Sequence, residues 1–246
     1  MANNLLNELR SAQRFDAKDF IENQVTDFDP FKTPHQHPSL IAGTGILDGQ
    51  KVSIIATFRG RDLVERMATN FGAVTSTGYK AALEALELST QAKLPIITFV
   101  EMPGADASVQ SENDNQSIAI AKFMLAMGQY PYKNVGVILS EGHSGGALAF
   151  VNTNRILMLE DAIFNVASPE VVSTILKDKY SGDEILDISP MRAVDLLKIG
   201  FADVLIPKND DKKTQAQLIK KVIVNSLNDI RTEDLISERA KKFNKI

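Results

Sequence analysis

Residues 135–150 read VGVILSEGHSGGALAF. A short β run, Val135 to Leu139, passes through Glu141-Gly142-His143-Ser144-Gly145-Gly146 into an apolar helical run. Adjacent glycines at a helix start leave backbone N–H groups with no acceptor inside the helix and no side chain to screen them. With the positive end of the helix behind them, such groups can bind a developing oxyanion without any catalytic side chain. The same letters also spell G-x-S-x-G, the nucleophile elbow of serine hydrolases. The two readings predict different enzymes.

A serine nucleophile needs a histidine base, which in α/β-hydrolases follows the serine in the chain. No histidine follows Ser144. His143 is its neighbour, and adjacent residues at a sharp turn point apart. His35 and His37 lie upstream in a proline-rich stretch. The oxyanion reading needs only the N–H groups of Gly145 and Gly146, with Ser144 as helix cap. A third reading gives the glycines no chemistry: they only let a helix pack close to a strand. A second loop, Glu101-Met102-Pro103-Gly104-Ala105-Asp106, follows another buried run. Paired glycine loops at the C-terminal ends of parallel strands form the crevice where open α/β sheets usually bind ligands.

The elements that must position these loops follow from periodicity. Leu40 to Ile46 and Val52 to Phe58 read as strands joined by an Asp48-Gly49 turn. Ala82, Leu83, Leu86 and Ser89 fall at helical spacing between Tyr79 and Ala92. Ile96 to Val100 is an all-apolar run, as in a strand buried on both faces. A helix over 116–127 separates it from Val135 to Leu139. Ile156 to Leu159, Ile163 to Val166 and Asp203 to Ile206 read as further strands. Ser168-Pro169-Glu170 is a helix start, with a capping hydroxyl, a proline at the first helical position and an acid near the dipole. Ser189-Pro190 is expected to open a helix that stops at Gly200. Leu218, Ile219, Val222, Ile223, Leu227 and Ile230 form one stripe, and Thr232-Glu233-Asp234 starts a terminal helix. Residues 1–38 read as an N-terminal helical arm and 39–246 as the main α/β domain.

The chain has 246 residues, a net charge of −4, three histidines and no cysteine. Disulfides and thiolate zinc sites are thereby excluded, and nothing suggests a nucleic-acid partner. With no secretory signal and no spanning apolar run, a cytoplasmic protein with no membrane contact is the expectation.

The order NFG, GYKAALEALELSTQAKLPIITFVEMPGA, SEGHSGGALAF, SPE and TEDL resembles the carboxyltransferase α subunits of bacterial acetyl-CoA carboxylase. The resemblance runs from about residue 40 to the C-terminus, and more faintly over 14–28. It implies a crotonase-like α/β fold, a superhelix of ββα units with N- and C-terminal helices. It also implies carboxyl transfer from carboxybiotin on a carrier protein to acetyl-CoA, giving malonyl-CoA. The partners implied are a zinc-ribbon β subunit in an α2β2 assembly, the biotin carboxyl carrier protein and biotin carboxylase. Any zinc belongs to the β subunit, so this chain carries no metal site. By analogy, Gly142, Gly145 and Gly146 take the carboxybiotin side, Gly104 and Ala105 form a second backbone wall, and Pro103, His143 and Ser168 line the substrate pocket. His143 stands where the family usually has glycine, and the loop PGADASVQSENDNQS departs from the family pattern. A divergent paralogue that binds the β subunit, either without activity or with an altered acyl preference, remains open. So does a stand-alone acyl-CoA enzyme using Glu112 or Glu141 as its placed carboxylate.

Other polar residues have simpler readings. Asp48 and Asp161 suit turns or caps. His35 and His37 suit an exposed loop, and Arg59 and Arg61 a solvated face. Gly43, Gly45 and Gly49 fail the dinucleotide spacing.

Overall fold

The computed structural model describes residues 4–177, 179–180, 182–231 and 233–244. The chain opens with α1 (Asn4–Leu9), α2 (Ala17–Gln24) and β1 (Thr26–Pro30). The hairpin of β2 (Leu40–Leu47) and β3 (Gln50–Thr57) follows, then α3 (Leu63–Ala68), a 3-10 turn (Asn70–Gly72) and α4 (Ser76–Gln91). β4 (Ile96–Met102) leads to α5 (Val109–Asn113) and α6 (Gln116–Gly128). β5 (Asn134–His143) runs directly into α7 (Ser144–Val151). β6 (Arg155–Leu159), β7 (Ile163–Asn165), α8 (Pro169–Ile175), α9 (Gly182–Ile188), α10 (Ala193–Lys198) and β8 (Val204–Ile206) come next. α11 (Lys212–Asp229) and α12 (Leu235–Phe243) end the chain.

The sheet runs β1-β2-β3-β4-β5-β6-β8, with β7 paired to β5. β1, β2 and β3 are antiparallel, and from β3 onward each pairing is parallel. Asp48 and Gly49 both take positive φ, the geometry a two-residue turn needs to match strand twist. β5 is the longest strand and organises the rest. Its first half pairs with β6, and its second half, Glu141 to His143, pairs with β7. Every residue of β4 and β5 is buried, as the unbroken apolar run in β4 predicts. Each large apolar side chain so buried contributes roughly 1.5–3 kcal/mol.

The N-terminal arm is part of this core rather than an appendage. Phe15, Ala17, Phe20 and Ile21 join the main apolar cluster, and the Phe20 ring lies 4.8 Å from that of Phe99. α2 starts on a reciprocal capping box between Asp16 and Asp19. Within residues 26–30 the arm also contributes a strand.

Two local expectations are corrected. Ser189-Pro190 does not open a helix: it follows the end of α9, and α10 begins only at Ala193. The loop from Glu101 to Asn115 contains α5, which Ser108 caps by accepting from Ser111 N. The expected start of the terminal helix is present: Asp234 caps α12, while Thr232 lies outside the described residues. No helix among the described residues is long and apolar enough to cross a membrane.

Candidate active site

The last pairing between β4 and β5 joins Met102 to Gly142, so the two strands end side by side. The turns that follow them, Pro103-Gly104-Ala105 and His143-Ser144-Gly145-Gly146, are therefore neighbours. Gly104 sits at φ +129, a conformation that favours glycine, and its bare face looks toward the His143 carbonyl. Val74 bridges to Ala105, and the Val74 carbonyl accepts from Asp106 N at 2.9 Å and from Gln116 Nε2 at 2.7 Å. These bonds fix the first turn.

The second turn is tighter. A Cβ on Gly146 would stand 3.0 Å from both Ala105 Cβ and Ala105 N, and 2.5 Å from the Tyr79 hydroxyl. Only hydrogen fits there. Gly145 faces open space, with Met124 Cε at 3.8 Å as the nearest contact. The N–H groups of Gly145 and Gly146 belong to the first turn of α7, where no intrahelical acceptor exists. Neither they nor the Ala105 N–H donate to another backbone carbonyl of the described residues outside their own element. The two walls thus converge on one spot with donors free. A groove of about 560 Å³ between α4 and α6 is lined among others by Tyr79, Asn115, Ile118 and Lys122.

Several expected roles are changed by the geometry. Ser144 does not cap α7. It is the first helical residue, exposed, at φ 65, while the cap position falls to His143 without a side-chain bond. The elbow shape is real, but its serine has no histidine. Gly142 is strand interior, and a Cβ on it would meet Phe164 and Val100. His143 does not line a pocket. It is 1 % exposed, with Nε2 3.1 Å from Glu141 Oε2. The Ser168 hydroxyl caps α8 by accepting from Val171 N, and Pro103 is half-buried in its turn.

Glu141, set aside as a possible base, is a structural anion. Its side chain is fully buried and receives Arg10 Nε and Nη2 at 2.8 Å each, together with the Arg59 guanidinium. Burial favours its neutral form, but hydrogen bonds from His143 and Arg10 and the two guanidinium charges outweigh that and hold it well below the usual carboxylate range. Arg10 also reaches Glu170 of α8, and Arg14 donates to the Leu139 carbonyl and to Asp161. Arg59 and Arg61 are accordingly not a solvated face: Arg61 pairs with Asp16 and Asp19 of the arm. Glu112, the other proposed carboxylate, is exposed. Asp106 is held by Ser108 and Ser111, whose hydroxyls overcome partial burial and keep its carboxyl below its ordinary value.

Sequence patterns did not reveal Arg10, Arg59, Glu101 or Tyr79. Glu101 is buried beside Arg59 N, and burial, then the Asp16 charge, push its carboxyl up to about 8 against the pull of Arg59 and Arg14. A carboxylate closing an all-apolar run was its one signal. Tyr79 had one too, since it continues the buried face of α4 through Ala82, Leu86 and Ser89. His35 pairs with Glu84 in an exposed position, and the described residues contain no group of three or more ligands placed for a metal.

Comparison with known proteins agrees on one family. The model of acetyl co-enzyme A carboxylase carboxyltransferase-like proteins matches residues 4–246. The acetyl-coenzyme A carboxylase carboxyl transferase subunit alpha of Staphylococcus epidermidis is 34% identical over 218 residues, 85% of this chain and 69% of that one. A Clostridium tetani protein named as carboxyl transferase subunits beta/alpha is 32% identical over 250 residues, 97% of this chain and 44% of its own. Among solved structures, the transcarboxylase 12S complex with methylmalonyl-coenzyme A superimposes with a TM-score of 0.69 at 17% identity, over 87% of this chain and 43% of that chain. This chain thus spans less than half of the last two.

Proposed function

The chain belongs to the acetyl-coenzyme A carboxylase carboxyltransferases, with their crotonase-like fold, and we propose on that footing that it works as an α subunit that moves a carboxyl group onto acetyl-CoA to give malonyl-CoA. The observation that carries this reading is the meeting of the two turns: Gly146 against Ala105, with unpaired N–H groups on both sides.

That arrangement suits a reaction whose difficulty is negative charge on oxygen. An acyl thioester deprotonated at its α-carbon places charge on the thioester oxygen. A fixed N–H aimed at such an oxygen lowers the barrier by about 3–4 kcal/mol and needs no reorganisation. Carboxybiotin, delivered by a carrier protein, supplies the carboxyl group when bound. The bare face of Gly145 is open enough to accept a planar polar group, and no Cβ shields the N–H groups of Gly145 or Gly146. Gly145 and Gly146 are assigned to that side, and Gly104 and Ala105 to the opposite wall. No side-chain base is assigned: Ser144 has no partner histidine, and Glu141 is committed to Arg10 and Arg59.

The partner is a β subunit, which the fused beta/alpha relative supports. A zinc ribbon on that partner, an α2β2 assembly, the biotin carboxyl carrier protein, biotin carboxylase and a cytoplasmic setting complete the proposal. Co-expression with a zinc-ribbon β subunit, followed by an assay of carboxyl transfer between malonyl-CoA and biotin, tests it. Complex formation with turnover is expected. A complex without turnover on any acyl-CoA would favour the binding-only paralogue, and turnover by the isolated chain would favour a stand-alone acyl-CoA enzyme.

A further inference from the structure

Tyr79 is completely buried, with its ring packed against those of Phe123 and Phe150 at centroid distances of 6.4 and 5.7 Å. That packing makes no use of the hydroxyl. The oxygen has no hydrogen-bond partner among the described residues. A buried hydroxyl left unpaired destabilises a fold, and a phenylalanine would fill the same space without that cost. The oxygen lies 2.5 Å from the point where a Cβ on Gly146 would stand, and Ala105 N lies 3.0 Å from the same point. A second orphaned atom borders this junction: Gln116 Oε1, buried and unpaired, belongs to the side chain whose Nε2 holds the Val74 carbonyl beside Ala105.

We propose that the Tyr79 hydroxyl is a positioning group of the oxyanion site, seated beneath the Gly146 turn, where it sets the separation of the Gly146 and Ala105 walls and directs an O–H dipole at the charge developing between them. The inference rests on the carboxyl-transfer reading above. Burial pushes the phenol far above the ordinary tyrosine value, so the group remains an O–H donor at any working pH. A fixed dipole in a water-excluded site acts more strongly than one in water and does not reorganise as charge appears. The hydroxyl acts by spacing the two backbone walls and by its dipole, and is not itself a base or nucleophile.

The test is Tyr79→Phe in the complex with the β subunit, read by kcat, by KM for the acyl-CoA and by the melting temperature. The expected result is a kcat lowered roughly ten-fold or more, a KM within about two-fold of the parent, and a melting temperature unchanged or raised. A variant with the parent's kcat would overturn the inference while leaving the carboxyl-transfer reading intact. A clear drop in melting temperature would also overturn it, because the hydroxyl would then be making a structural bond. A parent complex inactive on every acyl-CoA would remove the carboxyl-transfer reading and this inference together.

Discussion

Arg10 and Glu141 lie 131 positions apart in the chain and form a two-pronged ion pair, Nε to Oε1 and Nη2 to Oε2, each at 2.8 Å. The pair ties the N-terminal arm to the strand that delivers the glycine turn. Glu141 is only three positions before Ser144, so its placement fixes where α7 begins. Glu141→Gln would leave the Arg10 and Arg59 guanidinium groups facing a neutral amide in a buried site. A stability loss of about 3–5 kcal/mol is expected in urea unfolding. A loss below ~1 kcal/mol would mean that the network is dispensable.

The same carboxylate predicts acid sensitivity. Its pKa in the folded state is depressed, so the unfolded chain takes up the proton more readily. The stability it contributes is therefore complete above the ordinary glutamate value of ~4.3 and is lost as pH falls below it. Glu101 behaves oppositely. Its folded-state value is raised to about 8, so the folded chain holds a proton that the unfolded chain has released. Stability should decline from about pH 5 to about pH 8 and then level off. Glu101→Gln should flatten that decline, a gain on the order of ~2–4 kcal/mol at pH 8 with little change at pH 5. Parallel denaturant titrations at the two pH values would show it, and equal slopes would refute the assignment.

Neighbouring glycines should respond differently to the same methyl group. Gly146→Ala must push against Ala105 and Tyr79, whereas Gly145→Ala meets only Met124 at ordinary contact distance. The first should lower carboxyl transfer by about 100-fold or more through the misplaced donor, and stability by about 1–3 kcal/mol. The second should fold normally, so its loss of carboxyl transfer comes from the methyl group on the open face and not from a displaced turn. Ser144→Ala should keep activity, because no base reaches that hydroxyl. Kinetics on the three variants, with trapping of any acyl-enzyme in the parent, would separate oxyanion from hydrolase chemistry.

Arg239 offers a test remote from the site. It is 1 % exposed and donates to the carbonyls of Met127, Gly128 and Tyr130 and to Asn154 Oδ1, closing the C-terminal end of α6. Arg239→Met removes those donors and leaves several buried acceptors unpaired. A loss of about 2–4 kcal/mol is expected by thermal unfolding, with carboxyl transfer by the surviving folded complex little changed.

Local chemistry in the chain was enough to place most elements. An all-apolar run such as Ile96 to Val100 can be satisfied only by burial on both faces, and Asp48-Gly49 only by a tight turn. The Gly145-Gly146 pair marks bare N–H groups wherever the helix lies, because that property is intrinsic to the backbone. Steric and hydrogen-bonding rules of this kind act over a few residues, so one sequence displays them. The role of a charged or hydroxyl side chain is different, since it is set by whichever groups share its low-dielectric surroundings. Arg59 reads as solvated in RGRD and becomes buried only because β3 brings it against Glu141. His143 reads as pocket-lining and Ser144 as a cap until β5 continues through Gly142 and shifts the helix start by one residue. Position along the chain determined the turns and their donors. Only folding decided which charges were paired, which hydroxyl was left alone beneath Gly146, and how closely the two glycine turns met.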